Sequence, residues 1–142
     1  MSKGNTFEND VLLITFNASL ASHLGVLSTT GNANLYVALH TGDPGEGGSQ
    51  TTSECAFGSY ARQAAARSGS GWTVSGNSAV NFATISFPEC SSGSETVTHV
   101  SIGTSSSGAG QILYSGALNA SRSVSSGITL QFAAGALTVT ED

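Results

Sequence analysis

Charged residues are scarce in this sequence of 142 residues. They make up 9% of the chain, against about 25% in ordinary globular domains. Only four residues are basic and the formal net charge is -5, so we expect no nucleic-acid surface, which needs clustered lysine and arginine. Because free monomers rely on charge for solubility whereas interface cores are poor in charge, the composition favours a subunit packed against other subunits. A monomer with a serine- and threonine-rich surface is the alternative.

Long apolar runs and cysteine motifs are missing as well. No run reaches the eighteen apolar residues of a membrane span, and the N-terminus lacks the basic-then-apolar layout of a signal peptide. We therefore expect no membrane contact and synthesis in the cytoplasm. Cys55 and Cys90 show neither Cys-x-x-Cys spacing nor a neighbouring histidine, which predicts free thiols rather than a zinc or redox site. A disulfide formed after release from the cell is the alternative.

The clearest pattern present is the stretch from Asn34 to Gly48, which alternates apolar and polar residues and then stops at a turn. Period-two alternation predicts a half-buried strand, with Leu35, Val37 and Leu39 on one face. Residues 41–45, Thr-Gly-Asp-Pro-Gly, supply the turn that ends it. We predict a core strand here.

For the N-terminal part, the sequence predicts a polar arm over residues 1–9, followed by a helix over residues 10–25. Asn9 or Asp10 is placed to cap the helix and Gly25 to end it. The apolar positions recur at steps of three and four residues, as on one helix face: Leu13, Phe16, Leu20 and Leu24. A strand over residues 11–16, which are rich in β-formers, is the alternative.

The remainder of the chain predicts short strands separated by Gly/Ser/Asn turns. They are Ser59 to Arg67 (whose alanines would also suit a helix), Trp72 to Val74, Val80 to Phe87, Glu95 to Gly103, Gln111 to Leu118, Arg122 to Val124, Gly127 to Phe132 and Ala136 to Thr140. We predict a mainly β protein: one antiparallel β-sandwich or jelly-roll-like domain over residues 1–142, with the β core at residues 34–140. The expected core residues are Phe82, Val97, Ile112, Tyr114, Ile128, Leu130 and Phe132.

Groups with catalytic or metal-binding potential are few. His40 and Asp43 flank the turn, and His99 or Glu46 could join them around a metal, but local hydrogen bonding of His40 is the favoured interpretation. There is no Gly-x-Ser-x-Gly elbow and no phosphate-binding loop. Glu89 and Glu95 could be paired acids for sugar cleavage, yet solvated loop charges are favoured. We predict no catalytic, cofactor-binding or metal site, and no enzyme.

Five residues are candidates for contacts with other subunits. Arginine forms bidentate pairs with carboxylates, either within the chain, for example with Glu54, or across an interface. Tryptophan, tyrosine and arginine dominate interface hot spots. The candidates are Arg62, Arg67, Arg122, Tyr60 and Trp72, with ordinary exposed arginines and core packing of the tryptophan as the alternatives.

Several segments carry a resemblance to a known family. They are LYVALHTGDP at residues 35–44, GSYARQAAARSGSGWTVSGN at 58–77, ISFPE at 85–89, GAGQILYSGAL at 108–118 and GALTVTED at 135–142. The chain, from about Leu12 to its end, resembles small virion proteins of tailed bacteriophages that are commonly labelled tail-fibre-like. The resemblance implies a structural part of a phage particle made in the host cytoplasm.

Two positions on the particle are open. The sequence contains no fixed-period repeat, heptad run or collagen-like triplet of the kind that builds fibre shafts. We therefore favour a capsid decoration or cement protein on the head surface, binding the major capsid protein as a homo-oligomer, plausibly a trimer. A tail-fibre or tail-associated protein that recognises a host-surface receptor is the alternative.

Overall fold

The computed structural model describes residues 5–18 and 32–141. One helix and nine strands form this part of the chain. They are α1 (Asn5–Asn17), β1 (Asn34–His40), β2 (Gln63–Ala66), β3 (Trp72–Ser75), β4 (Ser78–Asn81), β5 (Ile85–Ser86), β6 (Ser94–Gly103), β7 (Ile112–Ser125), β8 (Gln131–Phe132) and β9 (Thr138–Thr140). The predicted class, mainly antiparallel β with an N-terminal helix, is confirmed, and the sheets are consistent with a β-sandwich. Among the described residues, no helix is long and apolar enough to cross a membrane.

The boundaries of α1 differ from the prediction. The helix begins at Asn5 rather than residue 10, so Asn9 and Asp10 lie inside it, and the Asn9 side chain donates to the Gly76 carbonyl at 2.7 Å instead of capping. Leu12 and Phe16, four residues apart, form its buried face. The helix ends at Asn17, where Ala18 adopts a positive φ of 48°. Gly25, Leu20 and Leu24 lie outside the described residues.

The chain forms two compact units. The first holds α1, β3, β4 and β9; the second holds β6, β7 and nearly all of β1, while β2, β5 and β8 contain the boundaries. The sheets have the strand orders β2-β1-β6-β7, β3-β4-β9 and β5-β8. The prediction of a single domain stays a prediction.

In the first unit, α1 packs on the hairpin of β3 and β4. The fully buried Trp72 meets Phe16 edge to face, with ring centroids 4.7 Å apart, a favourable aromatic geometry. Asn81, also buried, donates to the carbonyls of Ala83 and Ala133 and accepts from the Leu137 amide, all at 2.8 Å. One amide side chain thus satisfies the backbone of two segments that have no sheet partner at those atoms.

In the second unit, β1 is a core strand, as its alternation predicted, and it is one of the two inner strands of its sheet. It pairs antiparallel with β6 from Tyr36 opposite Gly103 to His40 opposite His99. Its last four residues are all buried, so this end is covered on both faces. It ends at His40, immediately before the predicted Gly-Asp-Pro turn.

β7 is a 14-residue edge strand, and it joins two predicted strands into one. Its pairing with β6 is irregular, because Val97 lies opposite Arg122 but His99 lies opposite Ala117. Residues 118–121 of β7 therefore face a single residue of β6. Such a bulge bends the strand that carries it.

The expected core is partly wrong. Val97 is fully buried, but Phe82 is 58% exposed and Ile128 is 43% exposed, and the other four candidates are intermediate. The largest buried side chains are instead Trp72, Phe16, Leu12, Leu39, Ile102, His40 and Gln50. Alternation in short strands shows which side chains share a face but not which face is covered.

Candidate functional site

A group of charged and polar side chains surrounds Arg62, at the end of the second unit where β1 stops. Its guanidinium pairs with both carboxylate oxygens of Glu54, at 2.6 and 2.8 Å. The same group donates to the carbonyls of Ser105 at 2.9 Å and Gly108 at 2.7 Å. The side chains of Arg62 and Glu54 are 2% and 16% exposed. The carboxylate raises the pKa of Arg62. The arginine ties the loop of residues 104–111 to Glu54, which directly follows the loop of residues 41–53.

Tyr60 completes this pair. Its hydroxyl donates to Glu54 and accepts from the Leu39 amide, both at 3.0 Å, so the side chain connects the ion pair to β1. Its ring packs edge to face on Phe57 and stacks on Phe87. Burial, reinforced by the Glu54 charge, raises the pKa of Tyr60, and the residue stays a neutral donor.

His40 lies beside the ion pair and is fully buried. Its Nδ1 is 2.9 Å from the Thr52 carbonyl, which can only accept, so Nδ1 carries the proton and Nε2 accepts from the Ser101 hydroxyl at 2.8 Å. Burial lowers the pKa of His40, which favours this neutral form. A serine next to a histidine resembles a nucleophile and its base, but Ser101 is only 1% exposed, so no substrate can reach it.

Gln50 fixes the same two loops from the inside. Its side chain donates to the Tyr36 carbonyl at 3.2 Å and accepts from the Ser105 amide at 3.0 Å, while its own amide donates to Gly110 at 2.9 Å. A side chain at Gly103 or Gly110 would collide with Gln50, so both glycines are needed for this approach. The polar cluster, which we define as His40, Gln50, Glu54, Tyr60, Arg62 and Ser101, therefore holds the loops in place.

Residues 11–140 match the family model described as Podophage GP4 fiber I protein gp80. The chain belongs to this family. Membership confirms the resemblance seen in the sequence and makes the protein a structural component of a phage particle. A comparison with curated proteins finds no match.

The sequence predicts contacts with other subunits through five residues, and the structure places these residues in different environments. Arg62 has the Glu54 partner proposed for it. Arg67 donates to the carbonyls of Ile14 and Thr15, near the end of α1. Trp72 is in the core, as its alternative predicted, and Tyr60 is half-buried. Among the three arginines, Arg122 on β7 is the exposed one, and its interface role stays a prediction.

The structure also places the two glutamates that were considered as paired acids and the residues that were considered as metal ligands. Glu95 is not a solvated loop charge: it lies in β6, and its carboxylate accepts from the amides of Ala56 and Phe57 at 2.9 and 3.2 Å. Glu89 is exposed. Within the described ranges, no three His, Cys, Asp or Glu side chains converge as metal ligands. Cys55 and Cys90 are free and buried.

Sequence reasoning missed Gln50, Ser101 and the role of Tyr60. Gln50 lies in a glycine-rich loop, and only its contacts across the fold reveal its role. Ser101 lies in an alternating strand where serine is unremarkable. The scarcity of charge was the one signal in the sequence that pointed to this cluster. In a chain with so few charged residues, Arg62 and Glu54, which are eight residues apart, are natural partners for an ion pair.

Proposed function

We propose that the chain is a non-enzymatic structural subunit of the virion that acts as a homo-oligomer. The observation that carries the proposal is the match to a phage fibre family over residues 11–140. It is supported by the 9% charged composition, which suits a subunit packed among others. It is also supported by the burial of the Ser101–His40 pair, which leaves the cluster a structural role.

For the position on the particle, we propose decoration of the head, where the subunit would bind the major capsid protein and stabilise the assembled shell. A protein that binds only the assembled shell stabilises it by mass action. The missing shaft repeats and the long exposed edge strand support this position, since edge pairing across capsid junctions needs no fibre shaft.

A fibre position is the second candidate, and the word fibre in the family description is what suggests it. In that position the subunit would belong to a tail-associated fibre that contacts a receptor on the host surface. The two loops, residues 41–53 and 104–111, supply exposed polar groups for such a contact.

The number of copies per particle tests these positions. Virions purified on a density gradient are analysed by quantitative mass spectrometry, with the major capsid protein as the internal reference. Copies nearly stoichiometric with the capsid protein support decoration of the head. A few to a few dozen copies contradict decoration and support the fibre, and immunogold labelling would then mark the tail. Absence from purified virions would overturn the structural role altogether.

A further inference from the structure

Strand β7 offers an unusual exposed edge. It is the outer strand of the four-stranded sheet, and among the described residues no strand pairs with its other side. From Ser115 to Ser125 all side chains are exposed except Leu118 and Val124. This stretch presents a row of backbone donors and acceptors about 35 Å long.

The edge lacks most of the features that stop strands from pairing. Soluble proteins block exposed edges with lysine, proline or inward-facing charges. Between Ser115 and Ser125 there is no proline and a single charge, Arg122. The other residues are mostly serine, alanine and glycine, whose small side chains allow another backbone to approach. The bulge at residues 118–121 is the one interruption, and it separates two straight stretches, residues 115–117 and 122–125.

The position of the single charge, Arg122, and of the two straight stretches of β7 indicates which partner strand suits this edge. Antiparallel pairing of β7 with itself, about a two-fold axis at the bulge, sets residues 115–117 of one copy against residues 122–124 of the other. Each Arg122 then lies opposite Ala117, and no like charges meet. Isologous pairing satisfies both free edges in one closed contact, whereas head-to-tail pairing leaves an edge open.

We propose that β7 is the surface through which two copies of this chain pair, antiparallel and with the axis close to Asn119 and Ala120. This inference rests on the homo-oligomer in the proposed function and adds its interface. The contact is a continuous sheet across two copies, a recognition mode in which main-chain hydrogen bonds supply affinity. It predicts a dimer as the smallest assembly.

The first test measures mass. The full chain is examined by light scattering coupled to size-exclusion chromatography, beside the variant Ala117→Lys. Pairing sets residue 117 opposite Arg122 of the other copy, twice in each dimer, so the like charges should repel and raise the dimer dissociation constant about tenfold or more. Ser107→Lys adds the same charge on an exposed loop and should leave the mass unchanged. Circular dichroism and thermal unfolding check that both variants are folded.

The second test locates the axis. Single variants Ser115→Cys, Asn119→Cys, Ala120→Cys and Ser123→Cys are treated with a short bismaleimide, with Ser107→Cys as the control; the native thiols are buried. Dimer crosslinking should be greatest at Asn119 and Ala120 and fall on both sides. A monomer, a trimer, or an oligomer that is unaffected by the β7 lysine would overturn the proposal. A monomer that is abundant in virions would overturn β7 pairing and leave the structural role in place.

Discussion

Replacing Arg62 by methionine should be among the most destabilising single changes outside the apolar core. The variant keeps the length of the side chain but removes two hydrogen bonds to Glu54 and one each to the carbonyls of Ser105 and Gly108. Breaking a buried ion pair costs about 3–5 kcal/mol. Glu54 keeps the Tyr60 hydroxyl and is 16% exposed, so we expect the lower end, about 3 kcal/mol. For a chain of this size, this lowers Tm by about 10 °C.

The assay is urea unfolding followed by circular dichroism, with Arg122→Met as the matched control. Arg122 is exposed, and its replacement should change the unfolding free energy by less than about 0.5 kcal/mol. The double variant Arg62→Met/Glu54→Gln should recover part of the loss, because the unpaired carboxylate is then removed. A loss below about 1 kcal/mol for Arg62→Met, with no recovery in the double variant, would refute the assignment of this pair as the organiser of the loops.

Two further results are expected. Because burial lowers the pKa of His40 below its ordinary 6.5, the neutral ring stabilises the fold fully above that pH, and this contribution is lost as the pH falls below 6.5. The charged and titratable groups that act on the ring are Glu54, Arg62 and His99. In urea unfolding at several acidic pH values, the free energy of unfolding should fall more steeply with decreasing pH for the native chain than for His40→Gln. Equal slopes would contradict a stabilising role of the neutral His40 ring. Burial also raises the pKa of Cys55 to about 12 and Cys90 is buried, so a thiol reagent should modify neither cysteine in the folded chain and both in denaturing urea. Rapid modification of either thiol in the folded chain would show that it is accessible.

The features that the sequence predicted well depend on local chemistry. The alternation in Leu35, Val37 and Leu39 and the turn at Asp43 identified β1 and its end, because strand period and turn residues act within a few positions. The pairing of Arg62 with Glu54 was also predictable, since a buried arginine needs a carboxylate and this chain has few to choose from.

The features that were missed depend on distant parts of the chain. The end of α1 is set by the left-handed Ala18 and by Arg67, which bonds the carbonyls of Ile14 and Thr15 from more than fifty residues away. Phe82 and Ile128 occupy apolar positions in β-rich runs, yet both are exposed, because burial depends on which elements cover a strand. Gln50 became a core residue only through the approach of Gly103 and Gly110.

The hydrogen bonds of Arg62 and Gln50 to the two loops affect the entropy change when a partner binds these loops. Loops rich in glycine and serine normally lose much conformational entropy when a partner orders them. Here Arg62 donates to the carbonyls of Ser105 and Gly108, while Gln50 accepts from the Ser105 amide and donates through its own backbone amide to the Gly110 carbonyl. These hydrogen bonds already hold the loops. That entropy is lost when the chain folds, so a neighbour that touches these loops meets a surface whose shape is already set, and its binding would be limited by fit rather than by ordering.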